Sequence, residues 1–166
     1  MGVELQSGAI KHGDLYKLKV RWNGGEGERI PAWANRVVQD EQTKIFSAQV
    51  WEPENPYRFR KKVFRAKTDP LMIYECHIGM AQEEERVGTY NEFREKILPR
   101  IAEAGYNCIQ IMAIQEHPYY GSFGYHVSSF FAPSSRFGTP DELKELIDTH
   151  IEWELPSLWI LFTLMP

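Results

Sequence analysis

The chain has 166 residues, 43% of them hydrophobic and 25% charged, with a formal net charge of -4. That balance is globular rather than disordered, and it supplies no basic excess of the kind nucleic acid requires. Two cysteines, Cys76 and Cys108, make neither a disulfide framework nor a metal-ligand spacing.

Both thiols are read as buried in a reducing compartment, and the chain as cytoplasmic. The opening "MGVELQSGAIKHGD" has no apolar core of the signal-peptide type. Aromatic residues reach 13%, with five Trp and eight Tyr. Such density suits a large core, and it also suits rings stacked on sugar faces.

From Gly13 to Trp51 the pattern is that of short strands. "LYKLKVRW" alternates Leu15, Lys17 and Lys19 with Tyr16, Leu18 and Val20, which predicts a half-buried strand. "NGGEGE" then reads as a turn or exposed loop, and "RVVQD" and "KIFSAQVW" as further strands. This all-β piece, 1–53, has too few strands to close a sandwich alone. "EPENPYRFRKKVFRAKTDP" has three prolines and a run of basic charge, and residues 54–70 within it read as a solvated linker wrapped on a neighbouring surface.

After Pro70 the pattern changes. "LMIYECHI" is an apolar run of strand length. "TYNEFREKILPRIAEAG" predicts a helix with Thr89 and Glu92 as a capping box, Phe93, Ile97, Leu98 and Ile101 as its stripe, and Gly105 as its left-handed end. Pro99 is expected to kink or restart it. "CIQIMAI" is a second strand. A long loop leads to another helix, opened by Thr139, Pro140 and Glu142 and buried through Leu143, Leu146 and Ile147. Strand–helix–strand–loop–helix begins a parallel α/β array, either doubly wound or a (β/α)8 barrel. Active-site groups of barrels sit on the loops that follow the strands, and the loop after Ile114 has that position.

The loop carries Glu116, His117, Tyr119, Tyr120, Phe123, Tyr125 and His126. A metal quartet of His77, Glu116, His117 and His126 can be drawn, but no pair has a strong ligand spacing, so no metal and no cofactor is assigned. No phosphate loop joins strand to helix, and no serine sits in an elbow motif. Aromatic density over a barrel mouth favours carbohydrate.

"YECHIGM", "LPRIAEAGYNCIQIMAIQEHPYYGSFGYH" and "SSFFAPSSRFGTPDELKELID" closely resemble the 1,4-α-glucan branching enzymes of the α-amylase clan. "WNGGEGERIPAWANRVVQD" resembles the end of that family's N-terminal carbohydrate-binding sandwich. The resemblance covers roughly Ala9 to Thr149 and rests on long contiguous phrases. It implies a mixed fold: the C-terminal part of a β-sandwich over 1–53, a linker over 54–70, and the first β/α units of a (β/α)8 barrel over 71–149. The implied activity cuts an α-1,4 link and passes the chain to a 6-hydroxyl, as in glycogen biosynthesis. The mechanism is retaining, with an Asp nucleophile and a Glu acid/base. The implied partner is an α-glucan (glycogen, amylose or starch), with no nucleic acid and no membrane. By the same resemblance Tyr125 lines the sugar subsite beside the cleaved bond, and Phe123 is a weaker wall candidate. His126 stands where the family commonly has Gln. The family's catalytic carboxylates lie on later strands than any matched here. The resemblance therefore implies a fragment clipped at both ends and inactive alone, or a residual glucan-binding module without catalysis. A regulator that docks on a full-length homologue is a third reading.

The final stretch, 150–166, departs from the pattern. Its apolar run starts at Leu155 and carries Pro156, too short for the roughly 20 residues of a membrane span. Read in a shifted frame, Trp153–Glu154 forces Gly, Trp159–Ile160 forces Asp and Met165–Pro166 forces Ala. One consistent codon choice spells "HRMGIAVIMDIVHSHA", a family-like third strand. The expectation is an out-of-frame tail with no pocket to fill, whose removal after Thr149 improves solubility.

Overall fold

The computed structural model describes residues 6, 8–60, 70–112, 114–152 and 159–163. Among the described residues, ten strands form small sheets that pack with three α-helical segments around two apolar cores.

The first core belongs to the N-terminal piece. Strands β1 (Leu15–Tyr16), β4 (Val37–Gln39) and β5 (Phe46–Gln49) form an antiparallel sheet in the order β1-β5-β4. Between them, β2 (Leu18–Trp22) and β3 (Gly25–Arg29) make a separate hairpin. Here the structure corrects two expectations. "NGGEGE" is not all turn, because Gly25 to Glu28 pair as strand. Nor is β2 half-buried: Leu18, Val20 and Trp22 are 45%, 38% and 50% exposed. The alternation is present, but nothing among the described residues covers its apolar face. Trp22 lies over the hairpin, so that a Cβ on Gly25 or Gly27 would meet its ring at 3.2 Å. The Arg29 guanidinium stands 5.5 Å from the same ring.

The second core is larger. Strands β6 (Ile73–Cys76) and β7 (Cys108–Met112) are parallel neighbours, from Ile73 opposite Cys108 to Cys76 opposite Ile111. The connection between them is helical: α1 (Tyr90–Glu92), a π-helical turn (Phe93–Ile97) and α2 (Leu98–Glu103). Thr89 and Glu92 form the expected capping box, and Gly105 has the expected left-handed φ of 88°. Pro99 lacks the N–H that would continue an α-helix. The chain answers with one wide turn before it and restarts at Leu98, with the proline in the first turn. Tyr90, Phe93, Leu98 and Ile101 pack on Ile109, Ile111, Phe137 and Leu146. Cys76 and Cys108 are both buried, and burial pushes the Cys76 thiol up to about 12.

The long loop contains an unexpected hairpin of β8 (Gln115–Glu116) and β9 (Ser129–Pro133), with a bulge between Gln115 and Glu116. Helix α3 (Pro140–Glu152) then returns along the core. Its Thr139 hydroxyl accepts from the Glu142 N–H at 3.2 Å, while Thr139 N–H donates to Glu142 Oε2 at 2.6 Å. Residues 54–60 are mostly exposed and lie against α3. The Tyr57 hydroxyl and the Arg60 N–H donate to the buried Asp148 carboxylate at 2.6 and 2.9 Å. The rest of the expected linker, 61–69, lies outside the described residues.

Part of the final stretch has a place. Strand β10 (Trp159–Thr163) pairs in parallel with β7 along its whole length, from Trp159 opposite Cys108 to Thr163 opposite Met112. The sheet order is β10-β7-β6, so the flanking strands leave β7 in the middle. No helix among the described residues is long and apolar enough to cross a membrane.

Candidate functional site

The site is the loop that leaves β7. Its two ends are held by Glu116, which has no exposed surface. One carboxylate oxygen accepts from the His117 N–H at 3.1 Å and the other from the Ser135 N–H at 2.7 Å. The carbonyl of the same residue accepts from the Ser128 N–H at 2.9 Å and the Ser128 hydroxyl at 3.1 Å. From the return side, Arg136 Nη2 donates to the carbonyls of His117 and Pro118 at 3.3 and 2.7 Å.

Between those anchors the chain makes a short 3-10 turn, Tyr120–Ser122. Phe123 follows with a φ of 50°, a left-handed conformation that costs a bulky residue of order 1–3 kcal/mol. It is held by the Phe123 N–H donating to the Tyr120 carbonyl at 2.8 Å and the Tyr125 N–H donating to the Ser122 carbonyl at 3.0 Å. A Cβ on Gly121 would meet the Tyr119 ring, so a larger residue there would displace that exposed side chain.

These bonds split the two sequence candidates. Phe123 is 39% exposed and turns its edge to His77, with ring centroids 5.9 Å apart. It is partly a packing residue. Tyr125 is 52% exposed, so its ring is open to a planar or puckered ligand face. Tyr119 is 67% exposed on the same loop. The quartet drawn from the sequence as metal ligands is dispersed in role. Glu116 is committed to backbone donors, His117 Nδ1 lies 3.0 Å from the Gln115 carbonyl, and His126 is exposed. Among the described residues no three His, Cys, Asp or Glu side chains converge on a metal position.

His77, at the end of β6, lies beneath the loop. Tyr120, Phe123 and Phe137 surround its ring at 6.2, 5.9 and 5.4 Å, and neither ring nitrogen has a hydrogen-bond partner among the described residues. Burial, and then the neighbouring His117, hold its pKa below the ordinary histidine value of 6.5. Unfolded chain therefore binds a proton more readily than folded chain. Stability is full above the ordinary value and falls as pH drops below it toward the lowered folded value, by at most about 1.4 kcal/mol per pH unit. A H77F chain is expected to lose that slope between pH 6.5 and 5 in urea titrations. An unchanged slope would assign it to other groups.

Three features escaped the sequence reading. Arg36 crosses from the β piece to donate to the Gly138 carbonyl at 2.5 Å. Trp33 is 77% exposed and stacks on Phe131 of β9 at 4.2 Å and 26°. Ala132 of the same strand completes the small core of Ala34, Val37 and Ala48. The β piece and the loop are thus one packed unit.

No family model matches the chain. Curated relatives do. The 1,4-alpha-glucan-branching enzyme of Dictyostelium discoideum is 49% identical over 141 residues, covering 84% of this chain and 21% of that enzyme. The Saccharomyces cerevisiae enzyme of the same name is 50% identical over 152 residues, with 85% and 21% covered. Among solved structures, a pullulanase from Anoxybacillus complexed with maltotriose superposes with a TM-score of 0.66 at 19% identity, covering 92% of this chain and 26% of that one. That likeness shows the fold alone, a mixed arrangement of helix and sheet. The chain spans about a fifth of the length of the curated relatives it matches. Over that fifth it is a homologue of the 1,4-alpha-glucan-branching enzymes.

Proposed function

We propose that this chain is a glucan-contacting piece of a 1,4-α-glucan branching enzyme, with α-glucan as its ligand and no catalysis of its own. In this reading 1–53 corresponds to the C-terminal part of a carbohydrate-binding sandwich, 54–70 to the connection, and 71–149 to the first β/α units of a (β/α)8 barrel. The observation that carries it is Tyr125, half exposed on a loop pinned at both ends beyond the second parallel strand. Phe123 supplies a second, partly packed wall. Glu116 cannot serve as acid or nucleophile, because backbone donors hold both its oxygens in a closed interior. The carboxylates that retaining transfer needs belong, by the resemblance, to the part of the relatives this chain does not match. The relatives are 1,4-alpha-glucan-branching enzymes by name, and glycogen biosynthesis in the cytoplasm is the proposed setting for the whole protein.

The purified chain is expected to be retarded on an amylose column without altering the iodine colour of amylose. Y125A should weaken binding about threefold to tenfold, the range of one aromatic stacking contact. Retention unaffected by Y125A would remove the loop from the proposal, and an iodine shift lost on heating would overturn the absence of catalysis. A second reading, a glucan-binding module that works through the β piece, is favoured by the exposed Trp33–Phe131 stack. It predicts that W33A, not Y125A, abolishes retention.

A further inference from the structure

We propose that Glu116 is the positioning residue of the sugar-facing loop and that Arg36, through Gly138, holds the loop's return segment from the other side, so that the β piece helps to order the loop. The proposal rests on the glucan reading above only for what the loop touches.

The geometry begins with the number of ties that meet at one residue. Glu116 bonds His117, the first residue of the loop, and Ser135, beyond its last strand, through the two oxygens of one carboxylate. Its carbonyl takes both the N–H and the hydroxyl of Ser128. Both ends of the segment carrying Tyr119, Phe123 and Tyr125 are therefore fastened to a single fully buried side chain and its own backbone. Inside the segment the ties are short-range turns. Such turns shape a loop but do not fix its orientation to the core.

The β piece reaches the same return segment. Arg36, 9% exposed, donates to the Gly138 carbonyl at 2.5 Å, just beyond the Ser135 N–H that Glu116 holds, and Ala132 of β9 packs with Ala34, Val37 and Ala48 of the β piece. Burial lowers the Arg36 pKa, and the Glu116 charge raises it. Arg36 and Glu116 thus hold one short segment from two sides, and that segment joins the β piece to the loop that carries Tyr125.

The test is hydrogen exchange on the full chain, wild type against E116Q, R36M and the double variant, alongside maltoheptaose binding. Gln keeps the shape of Glu116 but can accept through one atom only, so one of the two N–H groups loses its partner. E116Q is expected to lower protection of amides 119–127 about tenfold while amides 143–147 of α3 keep theirs. R36M should lower loop protection in the wild type and add little in E116Q. Maltoheptaose affinity should fall with loop protection in E116Q, and in Y125A it should fall with loop protection intact. S128A, which removes a single tie at an exposed position, should loosen the same amides by a smaller factor without unfolding the chain. Uniform loss of protection in E116Q together with no loop effect in S128A would overturn the proposal in favour of an ordinary core residue. Additive losses for Arg36 and Glu116 would overturn the coupling. A loosened loop in E116Q with Y125A binding unchanged would leave the positioning role standing and remove the glucan reading.

Discussion

A chain carrying R36M is expected to lose about 2–3 kcal/mol of stability to urea, the worth of a charge-assisted hydrogen bond together with a buried cation–π contact. Arg36 sits on the β piece, donates to the Gly138 carbonyl at 2.5 Å and holds its guanidinium 5.2 Å from the centre of the Trp51 ring. Methionine keeps the apolar stem, so cavity formation contributes little to the change. What it removes is the donor to Gly138 and the cation over the Trp51 ring. An opposing effect must be weighed. Burial lowers the Arg36 pKa, and the Nε atom is buried without a hydrogen-bond partner among the described residues, so the charge is costly to keep. Replacing a whole buried ion cluster by apolar groups is often neutral, whereas removing one partner strands the others. R36M is the second kind of change, and the loss is expected to win. A neutral or raised urea midpoint with unchanged slope would mean that desolvation cancels the contacts.

Arg36 also marks the limit of what the sequence could tell. Elements whose signals are local were legible. The Thr89–Glu92 and Thr139–Glu142 boxes, the left-handed Gly105 and the apolar stripe on Phe93, Leu98 and Ile101 each declare themselves within a few residues, and each is present. Tyr125 is a candidate only through the "GSFGY" phrase, which carries a resemblance rather than a physical deduction, and the structure adds that its ring is exposed. Contacts between distant residues were not legible. Arg36 and Gly138 are 102 positions apart, and Tyr57 and Asp148 are 91 apart. No periodicity links such pairs. A basic residue in a strand-rich stretch and an aspartate late in an amphipathic helix both look like solvent-facing positions until the chain brings a partner to them. The β8–β9 hairpin escaped for another reason. Two strand residues followed by a twelve-residue excursion give too short a run of alternation to outweigh Gly, Pro and Ser. The exposed β2 face is the converse case, in which correct alternation did not guarantee a covering layer.

The final stretch yields the other large effect. A chain ending at Glu152 is expected to lose roughly 4 kcal/mol and to aggregate, counting about 1 kcal/mol net for each backbone hydrogen bond forfeited by a five-residue parallel pairing. From sequence alone the removal of this stretch should help, because a chance apolar run has no reason to pack. The strand changes that balance. Cys108, Ile109 and Ile111 of β7 are completely buried, and β10 pairs with β7 residue for residue. Without Trp159–Thr163, one whole side of β7 presents unpaired N–H and C=O groups, and an open edge of that kind recruits other chains. The pairing is indifferent to how the segment came to be encoded. Backbone hydrogen bonding asks only for an extended run, and "WILFT" is made of residue types that favour one. An out-of-frame origin and a paired strand are therefore compatible. Light scattering and urea titration of the two chain lengths decide between them and a tail without a place. Faster aggregation and a lower midpoint on truncation would establish β10 in solution, while a more soluble and equally stable truncated chain would show that the stretch contributes nothing to the sheet.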